Sequence, residues 1–285
     1  MDRFSKFHPS VCFSFFMGAI IFTLVFYNSV FGIVSLLCAF CYNLRLKGKS
    51  AMLFLLKFII PLVLLASIFN MLFSHYGNTV LFSVKGYSFT LESLTAGLFT
   101  GVMIGAVMIW FSSYNEIITS DKFMALFGGF APNLTLLFSM ILRFIPLMVK
   151  TAGEIKDAHK GLGYEVKGIK NALARFSALI SICLEKSIET ADTMKARGFG
   201  TKKRSFYSAF VFRASDLAAL VFIIVFIIYL FIACGIGAMQ ITFDPVIEIK
   251  NVNHLPLAAF IIYALFPLAA DVTEDIKWRL LKSKI

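Results

Sequence analysis

Charge is scarce in this sequence of 285 residues: Asp, Glu, Lys and Arg make up 15% of it, and only 16 residues are acidic. Hydrophobic residues reach 59% and the mean hydropathy is +0.84, far more apolar than the roughly half expected of a soluble domain. The composition is that of an integral membrane protein, with lipid rather than nucleic acid as its surroundings. No stretch reads as a Ser/Pro/Gly linker, a low-complexity tail or an internal repeat. Four scattered histidines and no Cys/His cluster leave no metal site, and no cofactor is expected. The five cysteines, Cys12, Cys38, Cys41, Cys183 and Cys234, lie in apolar or helical stretches, as core residues do and an oxidised framework does not. Cys38 and Cys41 form a CxxC inside a span, without the exposed electropositive setting that makes a reactive thiolate.

Other absences concern nucleotides. Gly48-Lys49-Ser50 ends like a P-loop, but Asn43 stands where that motif needs its first glycine, so the chain should not bind ATP itself. Gly161-Leu162-Gly163 and Gly198-Phe199-Gly200 lack the third glycine and the preceding strand of a dinucleotide fingerprint. Few charges fall in the spans, which leaves no evident ion path or proton relay. Asp271, Glu274 and Asp275 are expected at a solvated helix end. No small-residue cleavage site follows the first apolar run, so it is expected to be retained.

The apolar runs give about six spans. Val11 to Tyr42 is too long for one crossing and divides near Tyr27-Asn28 into a hairpin of two short helices. Met52–Phe73, Thr90–Phe111, Ser215–Gly237 and Leu255–Ala270 supply the other four, and LFSVKGYSF, around Lys85-Gly86, suits a small β-hairpin. With an even count both termini share a side. If that side is the cytosol it collects every Lys and Arg except Lys57, Lys85 and Lys250, a bias that orients the chain with both termini cytoplasmic in the cell membrane. Leu134–Val149 challenges this count, because it is apolar enough to cross. A crossing there would carry most of the cations outside, so it is read as a buried or oblique helix containing Arg143 and Pro146, with a tilted span as the alternative.

Two polar helices follow. TAGEIKDAHK, from Thr151, stops at Gly161-Leu162-Gly163. From Ala172 to Arg197 a second helix carries Phe176, Leu179, Ile180, Cys183, Ser187, Ala191 and Met194 at spacings of three and four, and ends at Gly198. Lys195 and Arg197 complement the negative end of that helix, which is all a plain C-cap requires. Ala196 and Gly198 are also small enough to let the tip enter a narrow groove, where the planar fork of Arg197 suits a carboxylate or a row of carbonyls.

Three blocks, LFSVKGYSFTLESLTAGL, MILRFIPLMVKTAGEIKDAHKG and ETADTMKARGFG, together resemble the transmembrane T component of energy-coupling factor transporters, the family of the CbiQ-type subunits. The resemblance runs from about Met52 to Arg204 and is strongest in the last two blocks. It implies two cytosolic coupling helices, each ending in an Ala-Arg-Gly-like triplet held in the groove of one of two ABC-type ATPases. Ala196, Arg197 and Gly198 match the second triplet. Gly161-Leu162-Gly163 departs from the first, so that either His159 and Lys160 supply the cation earlier or one ATPase is gripped less strongly.

The expected architecture is therefore an all-α integral membrane protein: helices 1–4 in residues 1–112, a cytosolic coupling domain in 113–213, and helices 5–6 with a basic tail in 214–285. By the same resemblance it is a non-catalytic subunit that transmits ATPase motion to a small substrate-binding membrane subunit taking up a vitamin or transition-metal ion. Gly97, Gly101 and Gly105 form a smooth stripe for close helix packing, against that subunit or a neighbouring span. His8-Pro9 reads as a helix start, and the sequon at Asn133 is discounted on the cytosolic side. A stand-alone carrier, an integral membrane enzyme, or an anchor whose basic loops touch anionic lipid remain the alternatives.

Overall fold

The computed structural model describes residues 4–26, 29–74, 78–84, 87–163, 168–201, 210–235, 240–242, 248–250 and 254–282. The chain forms two compact units, residues 1–120 with 210–285 and residues 121–209.

In the first unit a short 3₁₀ turn, Phe4–Lys6, precedes α1 (Pro9–Val25). His8 caps α1, its Nδ1 accepting from the Ser10 amide at 3.3 Å, and Pro9 takes the first helical position, where its missing N–H costs nothing. The helix-start reading of His8-Pro9 is met. α2 (Ser29–Lys47) completes the expected hairpin. The next rod is α3 (Lys49–Phe54), one π-helical turn (Leu55–Ile59) and α4 (Ile60–Phe73). The widened turn stands just before Pro61, whose ring would clash with the carbonyl four residues back in a regular helix.

β1 (Val80–Val84) pairs antiparallel with β2 (Tyr87–Thr90), the hairpin expected of LFSVKGYSF; Lys85 and Gly86 lie outside the described residues. Thr90 then caps α5 (Leu91–Ile117), accepting from the Ser93 amide at 3.3 Å. α9 (Ala214–Gly235) and α10 (His254–Lys282) close the unit, with a second short hairpin, β3 (Gln240–Thr242) and β4 (Glu248–Lys250), between them.

Helix α5 packs on α4, α2 and α1, and its Trp110 is fully buried. Trp110 donates Nε1–H to Ser35 Oγ at 3.0 Å, and Ser35 pairs with Thr23 at 2.6 Å. In an apolar bundle such groups must find partners internally. Phe4 is buried among Phe7, Phe15, Phe16, Tyr42 and Phe266, its ring edge-on to each.

The second unit contains α6 (Ser120–Gly128), α7 (Pro132–Gly161) and α8 (Ile169–Ala196). α7 is continuous. It joins the apolar stretch Leu134–Val149 to the polar stretch after Thr151 and passes through Pro146. α7 packs on α8, along which Ala178, Ile182, Lys186, Thr190 and Met194 are half-buried every four residues. No residue of α8 is fully buried, and Ile169, Leu173, Phe176, Ile180, Leu184 and Ile188 remain exposed.

Six helical segments among the described residues are long and apolar enough to cross a membrane. The total agrees with expectation but the membership differs: α7 qualifies, and α1, at 17 residues, is shorter than the rest. At 1.5 Å per residue α1 covers about 26 Å of a hydrocarbon core of about 30 Å.

Candidate functional site

The candidate site begins at the end of α8. Gly198 takes φ +79°, a left-handed conformation that only glycine adopts without strain. Its amide donates to the Lys195 carbonyl at 2.9 Å and the Phe199 amide to the Met194 carbonyl at 3.0 Å. These are the two bonds of a Schellman turn, with Arg197 as the last half-helical residue. Thr201 tightens the turn, its Oγ1 donating to the Gly198 carbonyl at 2.8 Å. The plain C-cap is therefore present, and it leaves Arg197 exposed at its apex.

The turn forms one wall of an open cleft of about 850 Å³. Met194, Arg197, Gly198, Phe199, Gly200 and Thr201 face Pro132, Asn133, Leu136 and Met140 from the first turns of α7. Among the described residues Arg197 is the one charged group in this lining; the rest of them are apolar, small or neutral. Such a recess suits a carboxylate carried beside an apolar side chain. Ala196 and Lys195 lie in the last turn of α8, outside the lining.

Sequence reasoning missed the α7 side of this cleft, and it missed Phe199 and Thr201. An apolar residue directly after a helix-ending glycine is the Schellman signature and points to Phe199. Nothing local announces Asn133, which enters the cleft for a reason unrelated to its sequon.

The other tip ends α7. The Leu162 amide donates to the Ala158 carbonyl at 3.1 Å and the Gly163 amide to the Lys160 carbonyl at 3.0 Å, with Gly163 at φ +78°. Gly161 is still helical, and His159 and Lys160 lie in the last turn. Because the α8 tip sits by Leu136, the two tips are separated by most of the length of α7, on the order of 35 Å at 1.5 Å per residue.

The glycine stripe is elsewhere and is occupied by this chain. A Cβ on Gly97 would stand 2.7 Å from the Ser67 Cα, one on Gly101 2.8 Å from the Val63 Cα, and one on Gly105 2.8 Å from Ile59 Cγ2. The close-packed neighbour is thus the rod of the π turn and α4, and the face lies covered within the chain.

A correction concerns Asp271, which was expected at a solvated helix end. It is 2% exposed and its Oδ1 accepts the Phe4 amide at 3.0 Å. Asp216, also buried, accepts the His8 amide at 3.4 Å and the Arg213 amide at 2.8 Å. Both carboxylates hold backbone donors of the N-terminal segment or its surroundings. Among the described residues no three His, Cys, Asp or Glu stand together as a metal site, and Cys12, Cys38, Cys41 and Cys183 are in no disulfide.

A family model described as CbiQ, cobalt transport protein, matches residues 4–208. The chain belongs to the CbiQ family. The energy-coupling factor transporter transmembrane protein EcfT of Leuconostoc gelidum subsp. gasicomitatum is 28% identical over 196 residues, covering 62% of this chain and 72% of that protein. The resemblance in the three sequence blocks is upheld: this CbiQ-family chain is a transporter's transmembrane component, all-α apart from its two short hairpins, and the family itself is not catalytic. The match takes in both tips and most of the bundle, and ends before α9.

Proposed function

We propose that this CbiQ-family chain is the coupling subunit of an energy-coupling factor importer, passing the closure and opening of two ATPases to a separate substrate-binding membrane subunit. The observation that carries this reading is the α8 tip: an exposed arginine held at the apex of a Schellman turn, beside a cleft whose other described lining residues are uncharged. A hydrogen-bonded turn that presents an exposed arginine suits a partner's grip. The second tip, at the far end of α7, supplies a second point of engagement for a second ATPase, with Lys160 and His159 in place of the missing arginine. In this reading residues 113–213 work as the cytosolic coupling domain. In this reading α1, α2, the α3–α4 rod, α5, α9 and α10 cross, both termini are cytosolic, and the apolar part of α7, though long enough to span, is a buried or oblique helix; the bias of Lys and Arg supports this choice. The cargo, a vitamin or a transition-metal ion, is bound by the partner subunit.

The test is purification of the detergent-solubilised chain as wild type and as Arg197→Glu. Two ATPases and a small membrane protein should accompany the wild type and hydrolyse ATP, and the variant should lose the ATPases or their coupling. A wild type that purifies alone, or a variant that keeps every partner with full coupling, overturns the assignment.

A further inference from the structure

The first unit is fastened differently near the two places where the chain leaves it and returns. On the outgoing side the last turns of α5 are tied to α2 by Lys47, whose Nζ donates to Ser112 Oγ at 3.0 Å and lies 3.6 Å from Glu116. Those side chains are 30% and 54% exposed, so water and salt weaken the pair. On the returning side the chain re-enters at Phe210, and Asp216 follows in the first turn of α9. Asp216 is 4% exposed.

One oxygen of Asp216 accepts the Arg213 amide at 2.8 Å, the backward half of a capping box at the start of α9. The other accepts the amide of His8, the capping residue of α1, at 3.4 Å. A single buried carboxylate therefore closes the N-termini of two helices, each carrying a partial positive charge there. The His8 ring meets Phe212 edge-on with centroids 5.1 Å apart, and α1 packs on α9 beyond the junction. A capping box needs only the Arg213 bond. The bond to His8 is additional, and it reaches across 208 positions of sequence.

We propose that Asp216 is a positioning residue for coupling: it joins the segment by which the chain re-enters the first unit to α1, so that movement passed along the chain from α8 reaches the start of α1 as well as α9. This rests on the coupling function proposed above. Phe212 and His8 are the apolar half of the joint. The outgoing Lys47–Glu116 tie, being exposed, yields first under load and transmits less.

The test needs no knowledge of the cargo. The chain is purified with the ATPases that accompany it, placed in lipid nanodiscs, and followed by hydrogen–deuterium exchange with and without ATP plus vanadate. In the wild type nucleotide should change exchange both in the last turn of α8 and in the first turn of α1. In Asp216→Asn, which keeps one acceptor oxygen and loses the other, the α8 response should remain and the α1 response should be lost. Phe212→Ala removes the ring contact without touching the carboxylate, and should reduce the α1 response; where Asp216→Asn yields little complex, Phe212→Ala alone decides. An α1 response that survives in the recovered variant overturns the joint. A wild-type α8 tip that does not respond to nucleotide overturns the coupling function itself, a separate result.

Discussion

The amide of Phe199 donates to the carbonyl of Met194 at 3.0 Å, and this bond folds the chain beyond α8 back over its last turn. Both side chains then line the same cleft, with Arg197 between them in sequence and at the apex in space. The relationship depends on Gly198, because a left-handed residue must stand between them.

Gly198→Ala tests that dependence. A non-glycine residue at φ +79° costs roughly 1–2 kcal/mol, although the space itself is open, with Thr201 Oγ1 as the nearest atom at 3.4 Å. Amide exchange from Ala196 to Thr201 should rise about tenfold while the melting temperature of the purified chain stays put. Unchanged exchange at these amides would mean the turn does not need its glycine.

Arg197→Lys separates a shaped contact from a merely basic one. Lysine keeps the charge and loses the planar fork, so ATPase retained per chain after purification should fall for Lys and further for Glu. Binding to vesicles of anionic lipid should be the same for Arg and Lys. Full ATPase retention by the lysine variant would show that a positive charge suffices there and that the planar fork is not used.

Gly101→Ala and Gly153→Ala form a matched pair. At Gly101 the new methyl would meet the Val63 backbone, at 2.8 Å from Cα and 3.1 Å from O, and backbone cannot swing aside. A loss of about 1–3 kcal/mol is expected, seen as a lower melting temperature in detergent. At Gly153, inside α7, nothing lies within 4 Å, and alanine should gain about 0.5–1 kcal/mol of helix stability. Equal behaviour of the two would refute the close approach of α4 to α5.

Ser35→Ala removes the hydroxyl that accepts from Trp110 and pairs with Thr23. Leaving the buried indole N–H without a partner costs about 1–3 kcal/mol. The melting temperature should drop and the emission of Trp110, one of two tryptophans, should move to the blue. Emission identical to wild type would show that the indole finds another acceptor.

Much of this fold is readable along the chain. Long apolar runs locate the helices of the bundle, the alternation of LFSVKGYSF locates a hairpin, and ARG followed by an aromatic locates a helix end. Less is readable where neighbours compete with local preference. Pro146 suggests a break between an apolar and a polar segment, yet α7 runs through it, since a proline removes one hydrogen bond and the rest of a long helix persists. Pro61 is absorbed differently, by a π turn before it. The acidic group at the end of α10 looks solvated by composition, yet Asp271 is buried because the amide of Phe4 needs an acceptor inside the bundle.

Local sequence was enough for the class of protein, most of its helices and the glycine turn that ends α8, because hydropathy, periodicity and glycine's left-handed freedom act over a few residues. Tertiary structure alone decided which surfaces meet. It set α4 against the stripe of Gly97, Gly101 and Gly105, brought Asp216 to His8, and opened the cleft between Met194 and Met140. Those pairings join residues far apart in the chain, and they are selected by shape and by the need of buried backbone donors for an acceptor, neither of which leaves a mark at any one position.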